Sequence, residues 1–270
     1  MKLKQLLRQV RREFRRDAEI ILAHLLRVKV ADLHLLEESE LSDGLVSAFR
    51  DMLKKRERGV PTAYIIGEWE FFGRTFLVEE GVLVPRPETE TLVEKVLGLI
   101  LLNSGLLGLD LGTGTGCIAI TLLLERRNLR MWATDVNPVA VRTALRNVEI
   151  HGVSDRLEVL EGDLFEPVEG TVFDFIVSNP PYIPERLWEK LPPEVRLEGR
   201  ISVLGGEEGY EFYRRIADRI GEFLKPGGFV ALEIGHDQGE VVKGLLESAG
   251  LKVNIFRDLS GQDRVVVGWS

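Results

Sequence analysis

Residues 178–182 read Ser178-Asn179-Pro180-Pro181-Tyr182 and group side chains well suited to chemistry. They follow an apolar run over residues 172–177, interrupted by Asp174, that reads as a buried strand. Neither proline has an N–H, and each drives its predecessor toward extended backbone, so the strand stops and no helix continues through them. Asn179 is therefore expected at the carboxyl end of the strand, with its amide leaving the sheet edge. Its side-chain carbonyl and the Pro180 backbone carbonyl become two acceptors with few local donors. A planar –NH2 group offers two N–H bonds and fits between two such acceptors. Tyr182 adds a flat apolar face with a hydroxyl at its tip. A rigid loop closing a strand is the plain structural alternative for the same residues.

A second constellation lies upstream. A strand predicted over residues 106–111 runs into Asp110-Leu111-Gly112-Thr113-Gly114-Thr115-Gly116, and a helix pattern follows. Glycines there let backbone approach a ligand, and a helix N-terminus presents free N–H groups to an anion. The next strand ends at Asp135-Val136, where a carboxylate can accept both hydroxyls of a ribose. A nucleoside ligand is indicated. The spacing is G-x-G-x-G with Cys117 next, whereas a dinucleotide fingerprint reads G-x-G-x-x-G. Asp110 opposes a pyrophosphate but can accept from an α-ammonium group. S-adenosylmethionine combines that ammonium with a carboxylate and a ribose. After the third strand, Gly162-Asp163-Leu164-Phe165 can pair Asp163 with an adenine amino group and lay Leu164 or Phe165 on the ring.

The elements that must position these residues alternate from residue 106 onward. Strands are predicted over 106–111, 130–134, 157–160, 172–177, 229–234 and 251–256, and helices over 116–126, 138–151, 210–223 and 238–249. Pro226-Gly227-Gly228 reads as a turn feeding a strand. Residues 264–269 supply a seventh strand, antiparallel beside the sixth. This is a doubly wound α/β sheet, Rossmann-like in its nucleotide half.

Ahead of it, residues 1–63 read as a small helical unit, with Leu3, Leu6, Leu7 and Val10 at helical spacing. Ser42-Asp43 can cap a helix over 45–58, which Gly59 ends. Residues 64–84 form a linking β-hairpin, two aromatic and β-branched runs separated by Gly73-Arg74. Residues 85–270 make the catalytic domain. It opens on Val84-Pro85-Arg86-Pro87-Glu88-Thr89-Glu90, in which Pro87 suits a first helical turn and the glutamates suit its dipole.

Composition narrows the function classes. With 270 residues and 44% hydrophobic content there is ample core for one large domain, or for one medium and one small domain. The longest apolar runs span only a few residues, as at 99–102, too short to cross a membrane. Cys117 is the sole cysteine, which excludes an intramolecular disulfide and suits a cytoplasmic location. His24, His34, His151 and His236 show no metal-ligand spacing, and no metal is expected. Net charge is −8, which opposes a nucleic-acid coat and any stable nucleic-acid partner. Residues 1–60 nevertheless carry 14 Lys and Arg against 10 Asp and Glu, so the small unit is mildly basic.

Together these motifs resemble class I S-adenosylmethionine-dependent methyltransferases. More closely, the chain resembles the bacterial HemK/PrmC-type glutamine N5-methyltransferases of peptide chain release factors. The matching segments include Pro61-x-x-Tyr64-Ile65-x-Gly67, Glu70-Phe71-x-Gly73, Pro85-Arg86-Pro87-Glu88-Thr89-Glu90 and Asp110-x-Gly112-Thr113-Gly114-Thr115-Gly116. They continue with Asn179-Pro180-Pro181-Tyr182-Ile183 and Glu233-x-Gly235-x-x-Gln238. The resemblance implies a seven-stranded methyltransferase sheet and methylation of the glutamine in the Gly-Gly-Gln loop of class I release factors. It implies that the helical domain helps hold that factor, and a monomer is expected. It assigns Asn179, Pro180, Pro181 and Tyr182 to catalysis and substrate binding. Cofactor contacts fall to Arg86, Thr89, Asp110, Gly112, Thr113, Gly114, Thr115, Gly116, Asp135, Val136, Asp163, Leu164 and Asn179. An ion pair at the helix start is the alternative for Arg86. The chain reads Arg196-Leu197-Glu198-Gly199 where the family usually has Glu-Pro, which affects the lid expected over 184–209. The rival acceptor is an exocyclic amine of DNA or RNA, since Asn-Pro-Pro-Tyr serves both.

Overall fold

The structure is a computed structural model that describes residues 1–100 and 105–270, so the apolar run at 99–102 lies partly outside the described residues. The chain begins with helices α1 (Leu3–Arg8), α2 (Arg15–Leu26), α3 (Asp43–Glu57) and α4 (Thr62–Ile66). The Ser42 hydroxyl accepts the Leu45 N–H at 3.3 Å and starts α3, as its position predicts. Leu3, Leu6, Ile21, Leu22 and Phe49 close a small core. Two 3₁₀ segments, Arg12–Phe14 and Val30–Leu36, are absent from the sequence reading; such runs are too short to print an amphipathic period.

Strands β1 (Glu68–Phe71) and β2 (Arg74–Leu77) form the predicted hairpin. Phe72 and Gly73 take φ of 51° and 69°, so the turn falls one residue earlier than Gly73-Arg74. Two left-handed residues in succession give the turn whose twist matches paired strands. Phe71 and Phe76 are buried edge to face at 6.1 Å, so the hairpin's aromatic rings serve packing. Helix α5 (Pro87–Leu99) follows with Pro87 in its first turn.

The alternating region supplies β3 (Leu107–Leu111), α6 (Cys117–Glu125), β4 (Arg130–Asp135), α7 (Pro138–His151), β5 (Leu157–Glu161) and β6 (Phe173–Ser178). After short helices α8 (Pro193–Leu197) and α9 (Arg200–Val203) come α10 (Glu211–Phe223), β7 (Leu224–Glu233), α11 (Gly239–Ser248), β8 (Lys252–Arg257) and β9 (Asp263–Trp269). They build a seven-stranded sheet in the order β5-β4-β3-β6-β7-β9-β8. The last strand pairs antiparallel with β8, as predicted, but also with β7, so it inserts between the two. The predicted Pro226 turn lies inside β7: pairing jumps from Phe173↔Leu224 to Phe175↔Phe229, with Gly227 at φ 78°.

Alternate strand residues face opposite layers. Phe175, Val177, Ala231 and Val265 pack toward α5 and α6, while Leu109, Leu111, Ile176 and Leu232 pack toward α10 and α11. The chain leaves β3 toward β4 and β5, then returns to β6 on the other side of β3. That reversal opens a crevice at the strands' carboxyl ends, where ligands of open α/β sheets bind. Leu111 pairs with Ser178, so the glycine loop and the Asn-Pro-Pro loop leave the sheet side by side.

The chain divides into two compact units, Met1–Glu68 with Pro192–Leu197, and Trp69–Leu191 with Glu198–Ser270. Among the described residues no helix is long and apolar enough to cross a membrane.

Candidate active site

The crevice is a cleft of about 870 Å³, counting the space open at its mouth, wholly within the larger unit. Its wall includes Arg86, Thr89, Gly112, Thr113, Gly114, Thr115, Asp135, Val136, Asp163, Leu164, Asn179, Pro180 and Pro181. Four residues singled out by sequence do not line it; one is Phe165, 1% exposed and stacked on Phe223 at 4.4 Å, so of the two ring contacts expected only Leu164 reaches the cleft. Asp110 lies fully buried beneath the glycine loop, Gly116 caps α6, and Tyr182 packs half-buried against the α10–α11 core.

Gly112, Gly114 and Gly116 all have positive φ, at 68°, 59° and 81°. A side chain would strain each, so glycine there is a backbone requirement. The loop is pinned to β4: the Gly112 and Thr113 N–H groups donate to the Thr134 carbonyl at 2.8 and 3.0 Å. Asp135 holds it from the other side, accepting from Gly114 N–H at 2.8 Å and from Asn137 N–H at 2.9 Å. Burial nonetheless raises the Asp135 pKa above the usual carboxylate range.

Beneath the loop, Asp110 Oδ2 accepts from the Thr113 hydroxyl at 2.7 Å, and Oδ1 has no partner. Burial, helped by the Asp135 charge, lifts its pKa to about 7 against the Thr113 bond and the nearby Ala119 N–H, whose approach falls short of a formed hydrogen bond. A fully buried carboxylate with a bare oxygen is short of a cation. Cys117 lines the cleft beside it, but burial pushes the thiol up to about 12, so no thiolate is available near neutrality.

Leu164 adopts φ 48°, unusual for a residue with a branched side chain, and the Thr134 hydroxyl holds its carbonyl at 2.9 Å. Asp163 is already bound to Arg215 at 2.7 Å, and the Arg215 guanidinium lies 5.7 Å from the Phe212 ring on the cleft wall. An adenine amine would share Asp163 with Arg215.

Asn179 Nδ2 donates to Thr89 Oγ1 at 3.2 Å. That bond selects the rotamer in which the amide oxygen points away from α5. Neither Asn179 Oδ1 nor the Pro180 carbonyl accepts a hydrogen bond among the described residues. Both acceptors anticipated from the two prolines are therefore open. Burial raises the Tyr182 hydroxyl to about 12, so it stays neutral.

Arg86 lies on the cleft wall, and its Nη2 stands 2.7 Å from both oxygens of Glu198, which is 1% exposed. The ion-pair alternative is thus realised, with a buried carboxylate from the segment where the sequence departs from the family pattern. Glu198 also accepts from Val84 N–H at 3.3 Å. Ser202 donates to Gly81 O at 3.2 Å, and Ile201 and Ser202 join the cleft wall.

Sequence reasoning missed several supports. Buried Asn147 accepts from Leu77 N–H at 2.8 Å and donates to Leu77 O and Thr115 O at 3.1 and 2.9 Å, tying hairpin to glycine loop. Asn137 caps α7 through Val139 N–H and donates to Gly81 O at 2.9 Å. A polar residue inside an apolar helical period was the available signal for Asn147. Among the described residues, no group of His, Cys, Asp or Glu is arranged to hold a metal ion.

Residues 90–189 match the family described as Methyltransferase small domain, and residues 2–67 match the PrmC N-terminal domain. A release factor glutamine methyltransferase of Aquifex aeolicus is 55% identical over 100% of this chain and 97% of its own length. A protein of the same name from Bacillus anthracis is 39% identical over 92% of this chain and 90% of its own. A methyltransferase crystal structure from Pyrococcus furiosus shares the fold, with a TM-score of 0.56 at 22% identity, covering 74% of this chain and 90% of that one.

Proposed function

The chain belongs to the family of release factor glutamine methyltransferases, and we propose that it methylates the N5 amide nitrogen of the glutamine in the Gly-Gly-Gln loop of class I release factors, with S-adenosylmethionine as donor. In this reading it works in the cytoplasm as a monomer. The observation that carries the site assignment is the open pair of acceptors, Asn179 Oδ1 and Pro180 O, beside a cleft suited to a nucleoside.

The residues present fit that donor. Asp110 Oδ1 is a bare buried acceptor that suits an ammonium, the Gly112–Gly116 loop gives close backbone approach, and Asp135 ends β4 on the cleft wall. When bound, S-adenosylmethionine supplies a methyl group on a positively charged sulfur.

The chain's own contribution is to hold and orient the acceptor. An amide nitrogen is a weak nucleophile because its lone pair is delocalised into the carbonyl. Asn179 Oδ1 and Pro180 O each take one N–H of the substrate amide, which fixes the nitrogen with a π face toward the cleft. As positive charge grows on nitrogen during attack, both acceptors strengthen their bonds. Interactions that are stronger in the transition state than in the ground state lower the barrier. No side chain has to act as base: the nitrogen's extra proton is acidic enough to pass to water. Pro181 stiffens this segment, and Tyr182 anchors it by packing on the α10–α11 core.

The test is transfer of labelled methyl from S-adenosylmethionine to a class I release factor, to the same factor with the loop glutamine replaced by alanine, and to RNA and DNA. Label is expected in the intact factor alone, at one glutamine by peptide mass. Label that persists in the alanine factor, or enters only nucleic acid, would overturn the substrate assignment.

A further inference from the structure

Glu233 ends β7 and is 1% exposed, yet its Oε2 has no hydrogen-bond partner. The pairing Ser178↔Leu232 sets the end of β7 beside the end of β6, so Glu233 and Asn179 leave neighbouring strands at the same level. Between them stands Thr89 from the first turn of α5, 2% exposed. Its hydroxyl accepts from Asn179 Nδ2 at 3.2 Å and lies close enough to the Glu233 carboxyl to oppose the rise of its pKa. An amide nitrogen only donates, so Thr89 Oγ1 must accept there, and its single proton is left for Glu233. The direction of the chain Asn179 to Thr89 to Glu233 follows from valence.

We propose that Glu233, acting through Thr89, is a positioning residue that keeps the Asn179 side-chain oxygen turned toward the methyl acceptor. This rests on the function proposed above. A second strut leaves the same end of β7. Gln238 Nε2 donates to the carbonyls of Tyr182 and Gly209 at 3.1 and 3.2 Å, while Oε1 accepts from Gly235 N–H at 3.0 Å and the Tyr213 hydroxyl at 3.4 Å. Asn179 and Tyr182, the two ends of the substrate loop, are both tied to the segment 233–238.

Ionised Glu233 can only accept, so the chain runs one way. Protonated Glu233 can donate to Thr89, whose own proton is then free to go to Asn179. The amide can turn, with Oδ1 taking that proton and Nδ2 facing the slot, where one –NH2 opposes another. Burial brings the Glu233 pKa to about 7, opposed by the Thr89 hydroxyl, Arg264 of β9 and Arg86, and assisted by Glu88 of α5. The other ionisable groups facing it stay neutral near pH 7: burial lifts Cys117 and Tyr182 to about 12 and Tyr213 well above its usual value. The acceptor slot is therefore correctly set above about pH 7 and disordered below it.

The experiment has two readouts on the full chain with S-adenosylmethionine saturating, which holds Asp110 in its bound state. The first is turnover on a release factor across pH. Wild type is expected to lose about tenfold per unit below the Glu233 pKa, and Glu233→Gln, whose amide both donates and accepts but cannot titrate, to lose that limb whatever its plateau. Thr89→Val is expected to lower turnover about tenfold or more with cofactor affinity within about threefold, and Thr89→Ser to recover it. Thermal unfolding of each variant monitors folding. The second readout is the side-chain ¹⁵N–H pair of Asn179 under asparagine-selective labelling, expected to shift with the same midpoint in wild type and not in Glu233→Gln. An acid limb unchanged in Glu233→Gln, equal turnover in Thr89→Val and Thr89→Ser, or an Asn179 resonance that does not titrate overturns the inference. If wild type transfers no methyl to the factor, the proposed function fails on that control, and the resonance still decides the hydrogen-bond chain.

Discussion

Replacing Asp110 with asparagine should make the ligand-free protein more stable and the cofactor site worse. The side chain is fully buried, one oxygen is bonded to Thr113, and the other is bare. Its pKa rises from 3.8 to about 7. An unfolded chain releases this proton near pH 4, whereas the folded chain keeps it until about pH 7. Between those values the folded state binds more protons, so stability falls as pH rises, and the whole loss is present above pH 7. A shift of about three units at 1.4 kcal/mol each sets a ceiling of about 4 kcal/mol. Asparagine cannot ionise, so it escapes this cost. Urea unfolding of the ligand-free proteins at about pH 5 and about pH 8 should show the stability gap between variant and wild type widening in the variant's favour by about 1–3 kcal/mol.

Cofactor binding should carry the opposite sign. An ammonium near Oδ1 would draw the Asp110 pKa down, so wild-type affinity should rise as pH rises toward 7 and binding should release a proton. Calorimetry in buffers of different ionisation enthalpy measures that proton directly. Asp110→Asn should bind more weakly at pH 8 and show little linkage from this site. If the variant is destabilised equally at both pH values, or proton release is undiminished, Asp110 is not the strained anion described here.

Three further outcomes follow from the same geometry. Asn179→Ala removes one of two acceptors and should lower turnover by about 10²–10³ while calorimetric affinity for S-adenosylmethionine stays near wild type; turnover near wild type would remove Asn179 from the mechanism. Asp135→Ala loses the carboxylate that braces Gly114 and Asn137, so cofactor affinity should fall far more than saturated turnover, as titration and steady-state kinetics would separate. Arg86→Ala takes the guanidinium from the buried Glu198 carboxylate and should cost about 3 kcal/mol or less in urea unfolding near pH 8, with Arg86→Ala/Glu198→Leu recovering part of it.

The alternating half of the fold was legible because each strand and helix is a local period bounded by a local stop. Pro138 and Gly152 bracket α7 from residues 138 to 151, and the predicted range matches. Where the sequence reading slipped, the deciding quantity was not local. The insertion of β9 between β7 and β8 is a choice of partner, and the composition of Val265-Val266-Val267 suits either position. The hairpin turn slipped by one residue because Phe72, and not only Gly73, takes a left-handed conformation. No β-turn preference favours phenylalanine there; the burial of Phe71 and Phe76 on one face fixes the register and forces it.

The candidate site divides along the same line. Backbone features announce themselves in residue type: glycines where φ must be positive, prolines where N–H groups must be missing, aspartates at strand ends. Side-chain partnerships do not, because they join residues far apart in sequence. Asn179 meets Thr89 across 90 positions, and Arg86 meets Glu198 across 112. Nothing in the spacing of either pair marks it as a pair. This distinction changes how the acceptor slot is understood. The two prolines explain why its carbonyls lack local donors, and they hold for any amide orientation. Which atom of Asn179 is turned from α5 follows from its bond to Thr89, and in the proposal above Thr89 is set in turn by Glu233 behind it. An amide turned by half a revolution presents a donor to a donor and cannot hold the substrate, although every residue of the motif is intact. The motif therefore supplies the groups, and the α5–β7 contacts supply their sense.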